Sequence, residues 1–214
     1  IFIYYPLILL SILGYGFLLS RTVGSSLMSF NIGYQGLLGI LLLTTISYLT
    51  IFFVKHGYLH NLIVHFIGIL SFIYYVKKNK SLKQFLKITC IFTVLFVALL
   101  IIRNHDDFNY YHLTYSLGLT ENKIFLGLGQ FEHGYKHHSS VFFFNSIIFL
   151  PFIKYYLFHS IGWFTLVFVN YIILDFLIFK NKKILDFEYY FYLLVILFIN
   201  VKFSRIGGYG TDLS

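Results

Sequence analysis

Charge is scarce in this sequence, and that scarcity decides its class. Only 11% of the 214 residues are charged, while 58% are hydrophobic and 22% aromatic. No water-soluble domain of this length can hide so much apolar surface in a core, so lipid is the expected solvent for most of the chain. Cysteine is nearly absent: Cys90 stands alone, which excludes an internal disulfide, and its place inside an apolar run predicts plain packing. The long apolar runs lack period-two alternation. That excludes barrel strands and leaves helices, because a backbone in hydrocarbon must satisfy its own hydrogen bonds. A Gly-x-Ser-x-Gly elbow, a P-loop, a dinucleotide fingerprint and a His-Glu-x-x-His motif are all missing, so those mechanisms have no foothold.

What the chain has in abundance is apolar runs: 1–20, 33–54, 59–76, 88–102, 141–158, 161–179 and 189–203. A spanning helix needs about 20 mostly apolar residues. The runs therefore predict an all-α fold, a polytopic transmembrane bundle of six or seven helices in a single domain over 1–214. The first run has no basic n-region and no small-residue cleavage site, so it reads as a spanning helix and not a signal peptide. The sequence begins at Ile1 and stops in a loop-like Gly207-Gly208-Tyr209-Gly210-Thr211-Asp212, and it reads as a fragment of a longer chain.

The formal net charge of +8 does not point to nucleic acid. Its lysines sit in short clusters between apolar runs and not on one continuous basic face; the lipid bilayer is the expected partner. By the positive-inside rule, Lys77, Lys78, Lys80, Lys83 and Lys87 mark a cytoplasmic loop. Counting crossings then puts Lys55-His56-Gly57 outside and delivers a polar loop, 103–140, to the outer face of a membrane expected to be the bacterial plasma membrane. Lys180, Lys182 and Lys183 also ask to be cytoplasmic, yet three full crossings after the first basic loop would put them outside. The run 141–158, which with its edge carries Asn145, Pro151, Lys154 and His159, is the candidate for a segment that re-enters or lies at the interface. In that case 207–212 joins the outer loop on the same face. If the run crosses, the two lie on opposite faces.

Half of the eight carboxylates, Asp106, Asp107, Glu121 and Glu132, fall in 103–140, together with His105, His112, His133, His137 and His138. Phe108, Tyr111, Tyr115 and Leu119 follow helical spacing and predict an amphipathic helix lying on the membrane surface. Asp106 and Asp107 fall at its N-terminus, and two readings share that position. One carboxylate can cap the helix while both favour its positive dipole end. Alternatively, the pair can accept a proton from an acceptor hydroxyl, or hold a divalent cation against a phosphate leaving group.

A helix emerging into a large outer loop that bears an acidic pair, followed by a surface helix, resembles the GT-C class of integral-membrane glycosyltransferases. The resemblance covers about residues 88–160. It departs from the class in having several helices before the acidic loop and no His-Pro-Pro element. It implies a catalytic or metal-supporting role for Asp106 or Asp107 and a sugar donor on polyprenyl phosphate or diphosphate. Asp107-Phe108-Asn109-Tyr110-Tyr111-His112 and His137-His138-Ser139-Ser140 are also similar to uncharacterised bacterial polytopic membrane proteins, which imply no function.

Around the acidic pair, Arg103, His105, His112, His137 and His138 are candidate substrate contacts. Arg205, beside the terminal Gly-rich stretch, is another, since a Gly-rich backbone can approach a lipid phosphate. His133 and His137, at i and i+4, would share a metal if their segment were helical, but Gly134 weakens that helix, and a solvated loop accounts for the same residues. Lys154 and Asp175 lie toward the ends of apolar runs, where snorkelling explains them. The expected activity is sugar transfer from a lipid-linked donor to a cell-envelope acceptor. The alternatives are a transporter or flippase of a polar lipid and a non-catalytic scaffold.

Overall fold

A computed structural model describes residues 2–24, 27, 30–79, 82–101, 104–124, 127–130, 133–136, 139–179, 187–206 and 208–209. Among these the fold is all-α, with isolated bridges and no extended strand. The helices are α1 (Tyr4–Val23), α2 (Ile32–Thr50), α3 (Tyr58–Asn79), α4 (Leu82–Leu95), α5 (Leu113–Glu121), α6 (Ser140–Ile147), α7 (Ser160–Leu174) and α8 (Phe187–Ile206). A 3-10 segment, Phe96–Ile101, extends α4, and π turns flank α5 at Phe108–His112 and α7 at Asp175–Phe179. Four stretches are long and apolar enough to cross a membrane: Tyr4–Val23, Ile32–Thr50, Tyr58–Lys77 and Tyr155–Ile178. The chain is therefore a membrane protein by length and composition of its helices.

The centre of the bundle is α1, packed between α2 and α3 with backbones almost touching. A Cβ built on Gly14 would stand 1.8 Å from the Gly68 carbonyl oxygen, and one on Gly39 would stand 1.9 Å from that of Ile12. Without a hydrophobic driving force between helices in lipid, close approach at small residues supplies dispersion contact instead. Polar groups add direction. The Tyr15 hydroxyl donates to the Val64 carbonyl at 2.8 Å, and Ser20 donates to the Gln35 side chain at 2.5 Å. Trp163 of α7 packs edge-on against Tyr5, Phe92 and Phe96, joining α1, α4 and α7 in one aromatic core. Asn170 and Asn200 exchange amide hydrogen bonds between α7 and α8.

The contacts also order the two ends of the bundle. At one end, here the base, Arg21 lies 5.5 Å over the Tyr74 ring, and Asn31 donates to Asp175 at 3.0 Å. At the other, the mouth, Tyr4 donates to the Pro151 carbonyl, and the His56 N–H bonds the Leu119 carbonyl. So α1, α3 and α7 run from mouth to base, and α2, α4 and α8 run back. Lys180, Lys182 and Lys183 lie outside the described residues, but the run 141–158 on which their crossing count turns is described. That run is not one helix: α6 ends after eight residues, about 12 Å of rise, and the chain turns at the mouth before α7 begins. Two non-glycine residues in this turn have positive φ, Phe152 at 67° and Lys154 at 47°.

Two expectations change. The apolar stripe of α5 does form, with Tyr115 and Leu119 buried, but it packs against Phe142 and Phe143 of α6 and so meets protein where lipid was expected. Cys90 is not packed inside: its side chain is exposed on the outer side of α4. Asp175, accepting from Asn31, ties the base of α7 to the start of α2, and Lys154 is exposed on the mouth turn.

Candidate functional site

The acidic segment begins as the 3-10 end of the α4 arm reaches the mouth. Asn104 pairs with Tyr209 in an isolated parallel bridge, and the His105 N–H bonds the Tyr209 carbonyl at 2.8 Å. Asp106 is exposed and Asp107 half-buried, and they lead directly into the π turn and α5. Asp107, the N-cap of that turn, makes no capping bond with its side chain. His105 Nδ1 lies 3.2 Å from Asp107 Oδ2 and 3.3 Å from the Asp107 backbone nitrogen. A bare Nδ1 accepts from that N–H and a protonated one donates to the carboxylate, so the ring's proton decides which it holds.

Tyr209 fastens this segment to two others. Its ring meets Phe108 at 4.9 Å and His159 at 4.5 Å, and its hydroxyl donates to the Tyr156 carbonyl at 2.5 Å. Burial, with Tyr156 and Tyr155 adding to it, pushes its phenol up to about 12, so the hydroxyl keeps its proton as a donor. His159, in turn, faces the Tyr5 hydroxyl at 2.8 Å through Nε2. The start of α1, the acidic loop, the α6–α7 turn and the segment after α8 thus converge at the mouth.

The other candidates fare differently. His112 is 2% exposed and stands edge-on to Phe142 at 4.8 Å, inside the packing and not on the solvent side of the loop. His133–Lys136 is a 3-10 turn, and Gly134 sits against Tyr111, where a Cβ would come within 2.6 Å. Arg103, His137 and His138 lie outside the described residues, as does the side chain of Arg205. Among the described residues no three His, Cys, Asp or Glu side chains gather as a metal site. Beside α5, a cavity of about 170 Å³ is lined by Tyr115, Gly118, Leu119, Lys123, Ile124 and Tyr135; burial raises the Tyr115 phenol, with Tyr48 adding to it.

The densest polar cluster lies elsewhere, on α3 and the loop before it. Asn61 Nδ2 donates to the carbonyls of Ser146 and Phe149 at 2.8 Å and of His56 at 2.9 Å. His65 Nε2 donates to the Ile147 carbonyl at 3.1 Å, which leaves Nδ1 to accept from Ser11. These side chains occupy carbonyls that a short helix end would leave bare. His56 bridges Ser146 and Thr50 through its two ring nitrogens, and stacks 4.8 Å from His60. Burial, then the neighbouring His60, depress His56 to about 3. The spacing of Asn61 and His65 is the available sequence signal: polar residues four apart in an apolar helix share a face. The positions of His159 and Tyr209 had no such signal, because they meet only through the turn at 148–159.

No family model matches the chain, and no curated protein or solved structure matches it.

Proposed function

We propose that this chain is the membrane-embedded part of a sugar transferase that uses a polyprenyl-phosphate-linked donor and a cell-envelope acceptor, with the mouth on the outer face of a bacterial plasma membrane. The observation that supports this most is the fastening of Asn104 and His105 to Tyr209, which holds an adjacent carboxylate pair at the end of a bundle of lipid-facing helices. A lipid-linked donor keeps its tail among such helices and its phosphate at their ends.

In this reading Asp106 or Asp107 accepts the proton of an acceptor hydroxyl as that oxygen bonds to the anomeric carbon of the sugar. The bond from that carbon to the donor phosphate breaks, and its electron pair leaves with the phosphate. His105, in contact with Asp107, orients that carboxylate. Adjacent carboxylate oxygens are also the ligand type that a divalent cation takes together with substrate phosphates, and a cation there would neutralise the leaving group. Arg103, His137, His138 and Arg205 are assigned to the donor phosphate by their places in the sequence.

The test is transfer of radiolabelled sugar from a pool of polyprenyl-phosphate donors by membranes containing the protein. Wild-type membranes are expected to transfer, and Asp106→Asn or Asp107→Asn at equal abundance to lose 10²-fold or more. Unchanged transfer in both variants would reject this site. Absence of protein-dependent transfer from every donor would favour a flippase or a scaffold.

A further inference from the structure

His159 and Ser160, at the start of α7, leave a buried group of donors without acceptors. His159 is the N-cap residue of a 15-residue helix, yet its side chain makes no capping bond. It is 6% exposed and Ser160 is fully buried. Both His159 Nδ1 and Ser160 Oγ lack a hydrogen-bond partner. The Tyr5 hydroxyl lies 2.8 Å from His159 Nε2, and in the tautomer that lets it donate there Nε2 is bare. Nδ1, the ring nitrogen nearer the backbone, then carries the ring proton and stands beside the first turn, where an N-cap side chain belongs. The N–H groups of Ser160, Ile161 and Gly162 precede the first intrahelical bond and carry the positive end of the helix dipole.

An imidazole N–H and a hydroxyl at one buried helix start are both donors. Leaving such groups unpaired in a low-dielectric interior costs about 1–3 kcal/mol each, and the ligand that satisfies them together is an anion. The exposed Lys154 stands five residues earlier on the same turn, and Tyr209, bonded to the acidic segment, covers the His159 ring.

We infer that the N-terminus of α7, with His159 and Ser160, is a binding site for a phosphate group, carried to the mouth on a lipid. This deepens the transferase reading, and rests on it only for the lipid that bears the phosphate. The Asp106–Asp107 segment and this site are joined through Tyr209.

The test is saturable binding of tritiated farnesyl phosphate to the protein in nanodiscs of zwitterionic lipid, with farnesol and inorganic phosphate as competitors. Farnesyl phosphate is expected to bind, inorganic phosphate to compete weakly and farnesol not at all. Ser160→Ala and His159→Gln are each expected to weaken binding about tenfold or more. Ser160→Ala should leave the unfolding temperature unchanged or raised, since it removes a hydroxyl that has no partner; it decides the matter if His159→Gln does not fold. Wild-type affinity in Ser160→Ala, equal competition by farnesol, or absence of binding would each overturn the inference. Competition by inorganic phosphate as strong as the lipid itself would reassign the site to a free anion. Transfer of sugar with unaltered binding in Ser160→Ala would sink this site and leave the transferase; binding that depends on Ser160 without any transfer would do the reverse.

Discussion

His56 shows how a single ring depends on its surroundings. Its two nitrogens are held by Ser146 and Thr50, and burial takes it from an ordinary 6.5 to about 3, so it is neutral when folded. On unfolding it regains water and its usual affinity for a proton. The stability that its neutral form contributes is therefore complete above pH 6.5 and declines as the pH falls from there toward 3, by about 1.4 kcal/mol per pH unit. Thermal unfolding in detergent between pH 7 and pH 5 should show a falling midpoint in the wild type and a shallower fall in His56→Gln. Parallel slopes would mean that another group takes up the proton. The same scale explains which site residues a sequence can disclose. Asp106 and Asp107 stand out because adjacent acids are rare in an apolar chain, whereas Ser160 is one hydroxyl among many until its neighbours are seen to be donors as well.

At the scale of elements, α6 is the unusual piece. Eight residues cannot span a bilayer, and the carbonyls at its end are taken by Asn61 and His65 of α3. Replacing Asn61 by Leu keeps the volume close and deletes the donors. The carbonyls of Ser146 and Phe149 would then be buried without a partner, at a cost of about 2–4 kcal/mol, read as a lowered unfolding midpoint. An unaltered midpoint would mean that water replaces the amide. The runs that became α1, α2 and α3 were legible from hydropathy alone, since each is apolar over a full crossing. The run 141–158 was equally apolar; what marked it was the charge count at Lys180, Lys182 and Lys183, because a helix can stop inside an apolar stretch once other helices supply its hydrogen bonds. The face of α5 was legible too, from the spacing of Phe108, Tyr115 and Leu119, but periodicity says which side is apolar and not what covers it.

For the whole molecule, the antiparallel order of the helices fixes which connections share a face. The loop carrying Lys55 and the turn carrying Phe152, which is 94% exposed, are both at the mouth, while Lys83 lies at the base. In a Cys90→Ser background, single cysteines at Lys55 and Phe152 should react with a membrane-impermeant maleimide added to one side, and one at Lys83 only to the other. Labelling of the first two from opposite sides would mean that 141–158 crosses after all, and would separate Tyr209 from Asn104. The convergence of four chain segments on Tyr209 was only half legible: the sequence offered a conditional, that 207–212 meets the acidic loop if one run fails to cross, and the geometry of α6 supplies the condition.

The bonds from α3 to α6 carry a consequence for biosynthesis. In hydrocarbon, the carbonyls of Ser146, Ile147 and Phe149 have no acceptable state until Asn61 and His65 are beside them. α6 therefore cannot leave the insertion machinery for lipid on its own; it must dock onto a hairpin of α2 and α3 that is already in place. Chain order meets that demand, since α3 emerges 61 residues before α6, and a rearranged gene that delivered α6 first would be expected to stall at the membrane with its helix end exposed.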